Sequence, residues 1–149
     1  SSAATIPVTL KQTLKNGVRE SIAVFTVPLC ATIHLAGSTM KITACAMAIL
    51  LMSGQPIDPA AFSGFILMLG ITMVAAPGVP GGTVMASLGL ITGVLGFDET
   101  GTALMLTIFA LQDSFGTACN VTGDGALTLI LTGYAEKHGI KEAKLGDVL

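Results

Sequence analysis

Formal charge is scarce in this 149-residue sequence, in which Asp, Glu, Lys and Arg together make up 11% of the residues. An average soluble domain carries about 25% of these residues and needs them to cover its surface with polar groups. Between Asp58 and Asp98 lie 39 consecutive residues without a formal charge, whereas about 20 apolar residues suffice to span a bilayer core. The sequence therefore predicts an integral membrane protein.

Other absences exclude further classes of protein. Tryptophan is absent, aromatic residues make up 5%, and the net charge is −2 without a basic cluster, so no nucleic-acid partner is expected. The three cysteines have no C-x-x-C spacing and predict neither a disulfide framework nor a zinc site. We find no nucleophile–base pair, metal-ligand cluster or nucleotide loop and do not expect an enzyme. The first residues do not resemble a signal peptide, and we expect the chain to start within a longer protein.

Apolar segments, by contrast, are abundant, and clusters of helix-breaking Pro and Gly residues separate them. Residues 60–76 and 83–95 are each near or below the length that spans a bilayer. They are joined by PGVPGG at residues 77–82, which cannot be helical. We expect a re-entrant hairpin, because irregular backbone at membrane depth is tolerated only when it is buried in protein or lines a cavity. The alternative is an ordinary loop between two complete helices.

Basic residues predict the orientation. They flank the start of the first long apolar stretch, residues 20–53, and follow the last one, residues 102–134. The turns at 54–59 and 96–101 contain no Lys or Arg. By the positive-inside rule, the first junction and the C-terminus are expected to be cytoplasmic and both turns external. This topology predicts a multi-pass protein of the inner or plasma membrane.

The last apolar stretch carries most of the polar chemistry. Four side chains at spacings of four, three and four residues share one helical face: Asp113, Thr117, Asn120 and Asp124. A charge at the bilayer centre costs about 2.5–3.5 kcal/mol, so this face must look into protein or a wet cavity. Carboxylate, amide and carbonyl oxygens suit a hard cation, and Gly123 and Gly125 would permit an unwinding that frees carbonyls. The alternative is a polar seam between helices.

A second interruption, near Thr32 to Ser38, lies in the first stretch and contains His34. A membrane histidine is a proton relay, a ligand contact or a hydrogen-bonded packing residue, and the sequence leaves the three open. Lys41 lies far from other charges along the chain, so we expect it to pair with an acidic side chain of the last stretch or with an anionic ligand.

Four motifs, in this order, resemble those of the dicarboxylate/amino acid:cation symporter family, which includes the glutamate transporters. The start SSAATIP is similar to the family's SSSGTLP tip of a first hairpin, and FTVPLCATI at 25–33 is similar to the entry of its broken seventh helix. GVPGG at 78–82 is similar to the tip of its second hairpin, and NVTGD at 120–124 matches a motif of its eighth helix. The resemblance covers nearly the whole chain.

The resemblance implies an all-α membrane protein of broken transmembrane helices and re-entrant helical hairpins, of which this chain is the C-terminal part of the transport core. It implies a homotrimer in which each core moves as an elevator, with the second hairpin as the outer gate. The implied segments are the distal arm of the first hairpin (1–18), a broken transmembrane helix (19–54), the second hairpin (58–95), another broken transmembrane helix (99–135) and a cytoplasmic tail (136–149).

The resemblance also implies contacts for an amino acid or dicarboxylate and for Na⁺, with membrane lipid around the core. The expected substrate-binding residues are Ser2, Ala3, Lys41, Gly78, Val79, Pro80, Gly81, Asp113, Gly116, Thr117 and Asn120. Among them, Asp113 would bind the amino group of the substrate. The expected sodium-binding residues are Cys30, Thr32, His34, Val74, Ala76, Asn120 and Asp124.

Three positions depart from the family pattern. Gly116 replaces the arginine that reads a substrate's side-chain carboxylate, which favours neutral or varied amino acids. Lys41 replaces an aromatic or small residue and would restore the positive charge that is lost with the arginine. The alternative to a neutral substrate is therefore an acidic one. His34 and Ala36 replace the Asn and Asp of the NMDGT motif, so we expect fewer than three sodium ions per cycle. A proton on His34, or Lys41 as a tethered cation, is the alternative form of coupling.

A channel is the rival from another functional class. It would need a continuous pore, whereas two closed Pro/Gly tips favour gates. Single-channel currents without saturable uptake would support the channel.

Overall fold

A computed structural model describes residues 1–142 of the chain, which form seven α-helices without a strand. In chain order these are α1 (Ser2–Lys15), α2 (Glu20–Ile33), α3 (Ala36–Met52), α4 (Pro59–Ala75), α5 (Gly82–Gly93), α6 (Glu99–Leu111) and α7 (Asp113–Lys137). The all-helical class predicted from the sequence is confirmed for these residues. Residues 143–149, half of the expected 136–149 tail, lie outside the described range.

Two of the turn clusters work as helix start signals. The Asp58 side chain accepts hydrogen bonds from the backbone N–H groups of Ala60 and Ala61, and Pro59 occupies the first position of α4. Asp98 caps α6 in the same way, accepting from Gly101 N–H at 2.7 Å. Such caps satisfy N–H groups that have no partner within the helix, which explains why both short apolar segments start directly after an aspartate.

Both long apolar stretches are interrupted. The first is broken at His34 and Leu35, within the predicted interval. The second is broken at Gln112, and α7 then continues as one helix through Gly123 and Gly125. The unwinding that these glycines would permit does not occur here. Glycine permits a departure from the helix without requiring it, and an unwound α7 would leave buried backbone groups without partners.

Helix α7 is the centre of the packing around the polar residues. It packs against α3, α2 and α1, while α4 packs on α5 and α6 lies on α3 and α5. The largest fully buried apolar side chains come from α3, α4, α5 and α6: Phe65, Phe109, Ile42, Leu69, Ile91 and Met105. The apolar core thus lies on one side of α3, and the polar face of α7 meets the other side at the α2–α3 break.

The helices differ in whether their length and composition would let them cross a membrane. The broken stretch Glu20–Met52 is long and apolar enough by this test, within the described residues. Helices α4, α5 and α6 are apolar but shorter. Many large apolar side chains are exposed on the outer faces, including Leu67 at 72%, Met52 at 76% and Val8 at 73%.

Candidate functional site

The break between α2 and α3 is held by a side chain from α7. Helix α3 begins after Leu35 without a side-chain cap of its own. The Asn120 Oδ1 atom accepts hydrogen bonds from the N–H groups of Gly37 at 2.8 Å and Ser38 at 3.3 Å. These are donors of the first helical turn, which an N-cap side chain normally satisfies. Asn120 therefore supplies from another helix the cap that α3 lacks.

The amide nitrogen of the same residue completes a buried network. Asn120 Nδ2 donates to Ser38 Oγ at 3.1 Å and to Ser2 Oγ at 3.2 Å. Asn120 is 1% exposed, and both serines are buried as well. A buried amide is costly unless its donors and acceptor are paired, and here both ends are. The network fixes the starts of α1 and α3 against the middle of α7.

The segment 77–81 between α4 and α5 touches the same region. The Gly78 carbonyl accepts hydrogen bonds from Ala3 N–H at 3.1 Å and Ser1 Oγ at 2.8 Å. A Cβ added at Gly78 would overlap the Ala31 carbonyl oxygen, so only glycine lets the backbone approach α2 this closely. Gly81 precedes α5 with a φ of +71°, a conformation that glycine adopts without strain.

Asp113, the first residue of α7, forms a partly open ion pair. Its Oδ1 lies 3.5 Å from Lys41 Nζ, with the side chains 29% and 7% exposed respectively. The Lys41 ammonium also lies 3.4 Å from the centre of the Phe109 ring, and such a cation–π contact stabilises a buried charge. A Cβ added at Gly116 would lie 3.3 Å from both Cε and Nζ of Lys41. The lysine therefore fills space that a side chain at position 116 would use.

Asp124 lies about three turns further along α7 than Asp113 and pairs with His34. The atoms Asp124 Oδ1 and His34 Nδ1 are 2.8 Å apart, and the carboxylate side chain is 1% exposed. His34 follows the last residue of α2, where its N–H still donates to Cys30 O. A Cβ added at Gly123 would overlap His34 Cε1, so the ring lies directly on the backbone of α7.

A very small cavity lies beside Asp113 and Asn120. It measures about 10 Å³ and is lined by residues from the N-terminus and α1, the α2–α3 break, α3, the 77–81 segment, α5 and α7: Ser1, Ser2, Leu35, Ser38, Gly78, Val79, Thr83, Asp113, Thr117 and Asn120. This volume corresponds to about one water molecule. A larger cavity of about 320 Å³ lies on the other side of Asp113, against Pro80, Gly81 and Phe109.

Most of the expected substrate residues therefore lie together. Six of them line the small cavity directly: Ser2, Gly78, Val79, Asp113, Thr117 and Asn120. Lys41 and Ala3 contact these lining residues, and Gly116 lies beside Lys41. Pro80 and Gly81 line the larger cavity instead. Of the two predicted acidic partners for Lys41, the structure selects Asp113.

The expected sodium residues form a less complete group. His34, Asp124 and Asn120 lie along the contact of α7 with the break. Thr32 is exposed and its Oγ1 donates to Leu29 O in its own helix, while Val74 is 58% exposed and Ala76 is 2% exposed. Within residues 1–142, no three His, Cys, Asp or Glu side chains come together as a metal site.

Two site residues were not singled out from the sequence. Phe109 lies under the Lys41 ammonium, and Ser38 both donates to and accepts from Asn120. Phe109 is four residues before Asp113, a spacing that places two helical residues on one face, although the break at Gln112 intervenes. For Ser38 no sequence signal predicts the contact, because it depends on how α7 crosses the break.

Comparison with known proteins gives a consistent picture. The sequence profile described as the sodium:dicarboxylate symporter family matches residues 1–134. The chain is 28% identical over 138 residues to the neutral amino acid transporter B(0) of Rattus norvegicus, covering 92% of this chain and 25% of that protein. It is 32% identical over 133 residues to the serine/threonine transporter SstT of Acinetobacter baumannii (strain SDF), covering 86% of this chain and 33% of that protein. The chain thus spans a quarter to a third of the relatives it matches. No solved structure matches it significantly.

Proposed function

The chain belongs to the sodium:dicarboxylate symporter family, and from that premise we propose that it forms the substrate-binding part of a cation-coupled amino acid symporter. The observation that carries this proposal is the convergence of the Asp113 carboxylate, the Asn120 network and the Gly78 tip on one cavity. A carboxylate that is buried enough to exclude most water and open enough to be reached is suited to a substrate ammonium group.

The two ends of an amino acid would meet two different parts of this site. Asp113, with its side chain 29% exposed, would bind the α-ammonium group. The start of α1 at Ser2 and Ala3 would face the α-carboxylate, because a helix N-terminus carries a partial positive charge. The Ala3 N–H, which donates to Gly78 O, would become free when the 77–81 segment moves. Thr117 also lines the cavity and would supply a hydroxyl for either group.

The 77–81 segment would act as the gate. The cavity beneath it holds about 10 Å³, far less than an amino acid needs, so this segment must move for a substrate to enter. In this proposal α1 is the distal arm of a first re-entrant hairpin, α4 and α5 form the second, and α2–α3 and α6–α7 are broken transmembrane helices. In the complete protein, we propose, this core moves as an elevator within a homotrimer.

Placement in a membrane is supported by the distribution of apolar side chains. Outward-facing residues such as Leu67 and Met52 are largely exposed, and contiguous exposed apolar surface marks a lipid or protein contact. The polar side chains of α7, in contrast, face the break between α2 and α3. The proposed location is the cell membrane, with several spans and a cytoplasmic C-terminus.

Neutral amino acids are the proposed substrates. Gly116 offers no side chain to bind a substrate carboxylate, and the relatives named above are described as neutral amino acid and serine/threonine transporters. A second candidate is an acidic substrate read by Lys41, favoured by the position of its ammonium 3.5 Å from Asp113. An ammonium lacks the planar fork of arginine and would read a carboxylate less selectively.

Sodium is the proposed coupling ion, in fewer than three copies per cycle. Backbone carbonyls near Thr32, Val74 and Ala76 would form one site, because hard cations take oxygen ligands. The third site of the family pattern lacks its acidic ligand, since Ala36 occupies that position.

Uptake by the complete protein in liposomes tests the proposal. We expect saturable serine uptake that disappears when choline replaces sodium, while the same liposomes without protein take up nothing. Persistent uptake in choline would contradict sodium coupling and leave protons as the coupling ion. Single-channel currents without saturable uptake would contradict the symporter itself.

A further inference from the structure

Both aspartates of α7 meet a basic side chain from the region of the α2–α3 break. Lys41 Nζ lies 3.5 Å from Asp113 Oδ1, and His34 Nδ1 lies 2.8 Å from Asp124 Oδ1. The two pairs differ in setting. Asp113 borders two cavities, whereas Asp124 is 1% exposed and lies on neither of them. The buried pair therefore needs a role other than contact with the substrate.

The imidazole is held firmly in this place. His34 ends α2 through its own N–H bond to Cys30 O, and its ring lies on the backbone of α7 at Gly123, where a Cβ would overlap Cε1. The ring nitrogen is thus fixed between two packed helices with the carboxylate oxygen directly in front of it. Its position does not depend on a flexible side chain reaching across a gap.

A sodium ion at Asp124 would compete with this ring nitrogen for the same oxygen. With Asp124 ionised, its oxygens can only accept, so the ring nitrogen is the donor in the 2.8 Å hydrogen bond. Hard cations are bound by oxygen ligands, whereas imidazole suits transition metals. A ring that donates to Oδ1 therefore takes up the acceptor that an ion would use and adds no oxygen in return.

The neighbouring side-chain oxygen from α7 is also engaged. Asn120 Oδ1 already accepts from the N–H groups of Gly37 and Ser38. Among the described residues, Asp124 Oδ2 remains buried without a hydrogen-bond partner. This single oxygen would supply only a small part of the coordination shell of a sodium ion. Whether a sodium ion binds at Asp124 is therefore decided by measuring the number of sodium ions bound.

We propose that the imidazole of His34 replaces a co-transported sodium ion at Asp124, so that the protein moves one sodium ion fewer per substrate than it would with an oxygen side chain at position 34. This inference rests on the proposed function, because it concerns the ion stoichiometry of the same transport core. It makes His34 a residue that determines coupling, without contact to the substrate.

The central test compares His34→Asn with the wild type in the complete protein in liposomes. The sodium-to-serine ratio is measured from the reversal potential of uptake, together with the Hill coefficient for sodium. Asparagine removes the ring and offers an amide oxygen, so we expect the ratio to rise by one ion and the Hill coefficient to increase. The matched control is His138→Asn, because His138 is exposed and, among residues 1–142, its ring hydrogen-bonds to Tyr134 O one turn earlier. The ratio of this variant should equal that of the wild type.

A second variant covers the case in which His34→Asn fails to fold. Asp124→Asn keeps the shape of the side chain and removes its charge while His34 is present. If no sodium ion binds at Asp124, the sodium-to-serine ratio of this variant equals the wild-type ratio. A ratio that falls by one ion in Asp124→Asn, or that stays unchanged in a folded His34→Asn, overturns the inference.

The two proposals fail in different ways. Wild-type protein that takes up no serine, or takes it up equally well in choline, contradicts the proposed sodium symport. If uptake is equal in choline and in sodium, the inference still requires that serine uptake by His34→Asn depend on sodium. Sodium-independent uptake by His34→Asn would then overturn the inference. Sodium-driven uptake with an unaltered ratio contradicts the inference alone.

Discussion

The ammonium of Lys41 occupies the space next to Gly116, where a Cβ would lie 3.3 Å from both Nζ and Cε of the lysine. A positive charge thus reaches the first turn of α7 from α3 rather than from α7 itself. The same ammonium pairs with Asp113 at 3.5 Å. A substrate ammonium group must therefore compete with Lys41 for the carboxylate.

Replacing Lys41 by Met is expected to strengthen the binding of neutral amino acids. The variant keeps a long apolar side chain over Phe109 and removes the competing charge. A partly exposed ion pair contributes about 0.5–1 kcal/mol, so we expect the KM for serine to fall by roughly two- to fivefold. Uptake of labelled serine measures this. Lys137→Met, which changes an exposed lysine at the end of α7, should leave the KM unchanged. If Lys41→Met lost only the binding of acidic ligands, that result would instead favour an acidic substrate read by Lys41.

Asp113→Asn is expected to abolish most amino acid binding while preserving the fold. A hydrogen bond to a charged group contributes about 2 kcal/mol, which corresponds to roughly thirtyfold in affinity. Isothermal titration of serine into the purified protein measures the loss. Glu136→Gln is the control, because Glu136 is 61% exposed and lies 3.9 Å from Arg19, a surface pair of little energetic value. Equal affinities for Asp113→Asn and the wild type would remove Asp113 from the site.

Asn120→Ala is expected to destabilise the protein strongly. The substitution leaves Gly37 N–H and Ser38 N–H at the start of α3 without their acceptor and removes both donor bonds to serine. Unpaired buried groups of this kind cost about 1–3 kcal/mol each, so the apparent Tm in detergent should fall by many degrees. The other asparagine, Asn16, is exposed and bonded to Gln12; Asn16→Ala should change the Tm little. A similar Tm for the two variants would contradict a capping role for Asn120.

Gly78→Ala is expected to displace the 77–81 segment from α2. Its Cβ would overlap the Ala31 carbonyl oxygen, which belongs to backbone and cannot rotate away, and overpacking of this kind costs about 1–3 kcal/mol. If this segment is the gate, proteolysis or spin-label distances should report a more open tip, and the KM for serine should rise. Gly70→Ala is the control, because a Cβ there meets no atom within 4 Å. A closed tip in Gly78→Ala would show that the segment is not held by this contact.

Local signals determined a large part of the fold before any tertiary information. The turn clusters at 54–59 and 96–101 mark the ends of helices, and within them Asp58 and Asp98 cap α4 and α6 because their side chains satisfy free N–H groups locally. The Pro/Gly run at 77–82 ends a helix because proline has no N–H and glycine tolerates the required backbone angles. The polar face of α7 follows from helical periodicity alone, and its burial at Asn120 and Asp124 is as expected.

Tertiary packing decided what periodicity leaves open. Gly123 and Gly125 lie in a continuous helix because α7 is packed against α1, α2 and α3 and keeps its backbone bonds. The sequence permitted Lys41 to pair with either aspartate of α7, and only the crossing of α3 over α7 brings it to Asp113 and leaves Asp124 to His34. Asn120 caps a helix that begins 84 residues before it in the chain. Side-chain chemistry fixed which groups need partners, and long-range geometry, which no local pattern encodes, fixed which partners they have.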